Sequence, residues 1–114
     1  MMEKNFTLVF DEVMLDQLKK LGEDTVTREL LRKLFDKMEL LGPRAGELVD
    51  LHLFIYEMKV KHPPICIYFK HVKETNELYL FEYEMKTSPK KQKKTIKKVK
   101  QKAAELFKNL NQLL

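Results

Sequence analysis

Nine lysines and no acid fall between Lys86 and Lys102: Lys86, Lys90, Lys91, Lys93, Lys94, Lys97, Lys98, Lys100 and Lys102. The 114-residue chain has a net charge of +5, so the remainder, with 13 basic and 17 acidic residues, is mildly acidic at −4. A basic stripe on a folded element attracts polyanions by releasing their counterions. A nucleic-acid surface is therefore expected here, with a solvated lysine-rich helix face as the alternative. Acids are missing from the segment itself, so i,i+4 pairing does not account for the run.

A second group of charges lies on a strand. In residues 53–61 (LFIYEMKVK), period-2 alternation puts Glu57, Lys59 and Lys61 on one face and Tyr56, Met58 and Val60 on the other. A Lys/Glu strand face beside the basic junction Lys86-Thr87-Ser88-Pro89-Lys90-Lys91 suits a phosphate. Lysine holds phosphate as a point charge and acts as an acid or base where neighbouring cations depress its pKa. The alternative is a solvent-facing polar strand edge.

Other chemistry is poorly supported. His52, His62 and His71 lack the tight spacing of metal ligands, so no metal site is expected, and His62 is a minor acid/base candidate. Cys66 lies in an apolar run and reads as core; a lone cysteine excludes an internal disulfide and suits a reducing compartment. There is no glycine-rich phosphate loop, no serine nucleophile elbow and no zinc pattern. No cofactor is implied.

The elements that must position these residues follow from periodicity. Apolar residues make up 44% and charged residues 34%, as in a globular protein, and the length suits one domain over residues 1–114. No apolar run reaches the ~20 residues of a spanning helix, and the apolar stretch within residues 1–10 is too short for a signal peptide. The expected location is the cytoplasm, away from membranes. Residues 6–10 (FTLVF) read as a strand. Asp11 caps a helix with Val13, Met14, Leu18 and Leu21 on one stripe, ended by Gly22. Asp24 or Thr25 starts a second helix carrying Val26, Leu30, Leu31, Leu34, Phe35, Met38 and Leu41, stopped by Gly42-Pro43. The short link predicts a helical hairpin. Residues 44–50 read as irregular. Runs 53–61, 65–70 and 77–86 read as strands of an antiparallel meander, with residues 73–77 as a turn. The aromatic residues concentrate there, including Tyr56, Tyr68, Tyr79 and Tyr83. Most must be core; an exposed ring would stack on a base. Ser88-Pro89 opens a last helix with Ile96, Val99, Ala103, Leu106, Leu110 and Leu113 on one stripe.

This β-α-α-β-β-β-α order resembles the RelE/ParE toxin superfamily, and within it the HigB-like, phage-derived branch. Three stretches carry the resemblance. Residues 30–42 (LLRKLFDKMELLG) resemble the second helix and its terminal glycine. Residues 53–59 (LFIYEMK) resemble the family strand "LYELR". Residues 78–91 (LYLFEYEMKTSPKK) resemble "LLHGFxKKTxKTP", with Tyr83 at the Phe position and Lys86-Thr87 at the Lys-Thr. The resemblance spans about residues 25–104 and rests on order and spacing, since each motif alone is loose. Three family cations differ: the strand arginine is Lys59, the arginine of "YRVFY" is replaced by Ile65 or Cys66, and the first lysine of "KKT" is Met85.

The resemblance implies an α+β fold in which a small antiparallel sheet packs against an N-terminal helical hairpin and a C-terminal helix. It implies the toxin of a type II toxin–antitoxin system, a metal-independent endoribonuclease cutting mRNA on the ribosome and silenced by a cognate antitoxin. Cleavage would proceed by attack of the ribose 2′-OH on the adjacent phosphate, with cations stabilising the phosphorane. By position, Lys59, Lys61 and Lys86 would hold the phosphate, Tyr68 would help position the RNA, and Lys90, Lys91, Lys94 and Lys98 would hold its backbone. The alternatives are a catalytically weakened or inactive binding module of the same fold and a ParE-like gyrase inhibitor.

Overall fold

The computed structural model describes residues 5–85 and 88–113. Strand β1 (Thr7–Phe10) leads into α1 (Glu12–Lys20) and α2 (Thr25–Leu41). A 3₁₀ turn (Gly42–Ala45) precedes β2 (Glu47–Asp50), β3 (Ile55–Lys61), β4 (Pro64–Val72) and β5 (Glu77–Met85), and α3 (Pro89–Leu113) closes the described chain. The expected α+β architecture of sheet, hairpin and C-terminal helix is present. Both hairpin helices start on an aspartate cap: Asp11 accepts from the Val13 N–H and Asp24 from the Thr27 N–H.

Two features depart from expectation. Residues 47–50 form an edge strand, pairing Glu47 with Glu57 and Leu48 with Tyr56. The five-stranded sheet, ordered β1-β5-β4-β3-β2, is mixed, because β1 runs parallel to β5. Parallel neighbours require a long crossover, and the helical hairpin lies within the connection between these two strands.

Both sheet faces are covered. Met58, Ile65, Ile67, Phe69, Leu78 and Leu80 pack against Met14, Leu31, Leu34 and Met38 of the hairpin. On the opposite face, Ile55, Cys66, Tyr68 and Phe81 pack against Val99 and Ala103 of α3. Of the expected stripe of α3, Ile96, Val99 and Ala103 pack on the sheet, whereas Leu106 is 44% exposed and Phe107 packs in its stead; Leu110 and Leu113 lie beyond the described side chains.

A β-bulge decides which residues of β5 face α3. Tyr68 pairs with Glu82 but its neighbour Phe69 pairs with Leu80, so Phe81 is the extra residue. The bulge resets the alternation. Leu78 and Leu80 face the hairpin, whereas Phe81, Glu82 and Glu84 all end up on the α3 face.

Gly42 ends α2 with φ +60, and a Cβ there would run into the Phe6 ring. Gly42→Ala is expected to cost about 1–3 kcal/mol from left-handed strain and overpacking, read as a lower midpoint in thermal unfolding.

Candidate functional site

On the α3 face the register lays charged and protic side chains out in two rows. One row is Lys59, Cys66 and Glu84; the next is Glu57, Tyr68 and Glu82. The sheet thus brings Lys59 and Tyr68 to neighbouring rows, with Lys61 one pleat further along at the end of β3. Lys61 is exposed, and Lys59 is half exposed.

The acids are compensated one by one. Lys59 Nζ lies 3.2 Å from Glu57 Oε1. The Cys66 thiol points at Glu57 Oε2 across 4.0 Å. Tyr68 donates its hydroxyl to Glu84 Oε2 at 3.3 Å, and Lys98 pairs with Glu82 at 2.9 Å. Burial pushes the Cys66 thiol up to about 11, so it stays a neutral donor, not a nucleophile. Burial, reinforced by Cys66 and the flanking carboxylates, also raises the Tyr68 phenol and keeps it protonated. Tyr68 is fully buried, so what its geometry offers is a hold on Glu84; no ring face is open to a base.

The basic run divides in two. Lys98, Lys100 and Lys102 reach back to carboxylates of the body: Glu82, Asp50 at 3.4 Å and Asp11 at 2.6 Å. These partners come from β5, β2 and the β1–α1 junction, far from the lysines in sequence. Lys90, Lys91 and Lys94 are exposed on the first turns of α3, with no ion pair among the described residues. The helix is capped there by Ser88, whose hydroxyl accepts from the Lys91 N–H at 3.2 Å. At ~1.5 Å per residue, Lys94 and Lys90 sit about 6 and 12 Å along the axis before Lys98. That direction leads to the end of β5 and hence to the Lys61 end of β3, since Met85 pairs with Ile65 and Ile65 with Val60. Lys86 lies outside the described residues.

The result is a polar sheet face with lysines at its open end and carboxylates on its floor. Among the described residues, no three His, Cys, Asp or Glu side chains come together as metal ligands. None of the described helices is long and apolar enough to cross a membrane. Glu57 was legible as a polar-face residue with no role attached. Glu82 and Glu84 carried no signal, because strict alternation from Leu78 and Leu80 turns them to the other face.

Element order, the parallel β1–β5 pair and the terminal helix over the far sheet face give an α+β fold similar to that of the E. coli RelE toxin. An arginine-to-alanine double mutant of the E. coli RelE toxin in the free state aligns with a TM-score of 0.62 at 20% identity, covering 83% of this chain and 98% of that one. Isolated E. coli RelE gives 0.56 at 22% identity, over 82% and 97%. A chain of the intact E. coli RelBE toxin–antitoxin complex gives 0.55 at 23%, over 72% and 98%. No family model and no curated protein matches the sequence.

Proposed function

We propose that this chain is the toxin of a toxin–antitoxin pair, of the HigB-like branch by its sequence resemblance, and that it cleaves mRNA in association with the ribosome. The observation that carries this reading is the lysine end of the sheet. There the exposed Lys61 and half-exposed Lys59 share one end of the fold with Lys90, Lys91 and Lys94 of α3, which have no ion pair among the described residues. An RNA backbone laid across that end meets cations from two elements. Lys59 and Lys61, with Lys86, hold the scissile phosphate, and their charge stabilises the phosphorane as the 2′-OH attacks. The reaction asks for no metal, since the lysines supply the positive charge. The proposed partner is a small antitoxin protein, in keeping with the RelBE complex among the similar structures.

A second reading has its own observation. Glu57, Glu82 and Glu84 on the floor, and Ile65 or Cys66 where the resembled family carries an arginine, favour a RelE-fold module that binds without cutting.

Induced expression separates the two. Growth arrest within minutes, with breaks inside translated messages, is the expected result, and Lys59→Ala with Lys86→Ala is expected to abolish both. Arrest that survives the double substitution excludes this site. Arrest with intact messages and damaged DNA indicates a gyrase inhibitor, and normal growth with folded protein indicates the binding module.

A further inference from the structure

The cleavage proposed above needs a group to take the 2′ proton, and the identity of that group rests on the nuclease reading. Lysine as a residue type is an ammonium at neutral pH. Lys59, 3.2 Å from Glu57, is placed to hold a phosphate and poorly placed to accept a proton. Three carboxylates share the face, and two have committed partners: Glu82 is held by Lys98 of α3 and Glu84 by the Tyr68 hydroxyl. Glu57 is the one whose partner is itself a phosphate-binding candidate.

We propose that Glu57 is the general base of the cleavage reaction, paired with Lys59 as the phosphate-binding cation. Oε1 of Glu57 faces the Lys59 ammonium, while among the described residues Oε2 meets only the weak thiol donor of Cys66 at 4.0 Å. Oε2 is therefore the oxygen without a strong donor among the described residues, on a side chain that is 13% exposed. A phosphate drawn to Lys59 Nζ places the neighbouring 2′-OH beside that oxygen, so one i,i+2 pair on a single strand face binds the phosphate and activates the nucleophile. Glu57 takes the proton as the 2′-oxygen bonds to phosphorus. The bond from phosphorus to the 5′-oxygen breaks, and the departing oxygen takes a proton from water. The products are a 2′,3′-cyclic phosphate and a 5′-hydroxyl, and Glu57 returns its proton to solvent. The titratable and charged groups that face Glu57 are Lys59 on its own strand, Cys66 and Tyr68 on β4, Glu84 beyond them on β5, Glu47 opposite on β2, and Lys98 of α3 on the same face.

The test uses the full chain and a labelled mixed-sequence RNA oligonucleotide, free and on programmed ribosomes, with single-turnover rates measured across pH. Glu57→Gln is expected to slow cleavage about 10²–10⁴-fold and to remove the acid limb of the pH profile. Binding of the uncleavable 2′-deoxy oligonucleotide should stay within a few-fold of wild type. Glu57→Asp keeps a carboxylate and should retain the acid limb at a reduced rate; Lys59→Arg should keep cleavage that Lys59→Ala loses. A Glu57→Gln protein that cleaves with the wild-type pH profile overturns the assignment and leaves the nuclease reading standing. A wild-type chain that cleaves neither substrate overturns both.

Discussion

Asp11→Ala is expected to destabilise the protein by about 3 kcal/mol, measured as a lower midpoint in urea with an unchanged slope. Asp11 is 2% exposed and sits where three elements meet. Its carboxylate caps α1 through the Val13 N–H at 2.9 Å. It accepts the Tyr79 hydroxyl at 2.6 Å from β5 and the Lys102 ammonium at 2.6 Å from α3. Truncation removes a helix cap, deprives the Tyr79 hydroxyl of its acceptor and separates the Lys102 ammonium from its carboxylate. Breaking a buried pair costs about 3–5 kcal/mol, and Lys102 is partly exposed, which places the value at the lower end. The effect depends on pH. Burial alone would raise the Asp11 carboxyl, but Lys102, Tyr79 and the Val13 N–H outweigh it and hold the group below its ordinary 3.8. A carboxyl lowered by folding contributes stability that is complete above the unfolded value and is lost as pH falls through the folded one. The gap between wild type and Asp11→Ala should therefore be full at neutral pH and narrow below about pH 4.

That junction also shows what a reading of segments leaves out. The helices and the three meander strands were legible because each carries its own period and its own stop, such as Gly22, Gly42-Pro43 and Pro63-Pro64. Strand β2 was not, because a four-residue edge strand of sequence ELVD has too few alternations to declare a period; its pairing to β3 defines it. The direction of β1 was hidden for a related reason. Strand polarity is set by the hairpin crossover, and no local signal in FTLVF reports it.

The candidate site divides along the same line. Glu57, Lys59 and Lys61 keep their places because β3 is regular from Ile55 to Lys61. Across the bulge at Phe81 the alternation fails, and two further acids join the face expected to carry Glu57, Lys59 and Lys61. Tyr68 lies in a continuous apolar run, ICIYF, the pattern of a strand buried on both sides, and α3 supplies its second cover. The charge count of residues 86–102 was correct as arithmetic. It missed the acids of Asp11, Asp50 and Glu82, which pair with Lys102, Lys100 and Lys98 from distant parts of the chain. An ion pair between strand and helix has no sequence spacing to betray it.

The division of the lysines has a measurable consequence for RNA. Each phosphate neutralised on a single strand contributes about 0.7 to the salt slope of the binding constant. Lys90, Lys91 and Lys94 have no carboxylate partner among the described residues, so each can release a counterion from the RNA. Replacing all three with alanine is expected to lower the slope by about 2 and to weaken binding of a single-stranded RNA about 100-fold at ~0.1 M salt. Lys98→Ala should behave differently. Its ammonium already spends its charge on Glu82, and removal leaves that carboxylate buried without its cation. The salt slope should stay near wild type while the unfolding midpoint falls. Titration of a labelled RNA at several salt concentrations, with urea melts of the same proteins, distinguishes the two. Equal slope losses for Lys98→Ala and for each of the other three would show that the Glu82 pair opens when RNA binds, and that the whole run acts as one surface. Unequal losses would mean that one half of the helix addresses the RNA while the other fastens the helix to the sheet.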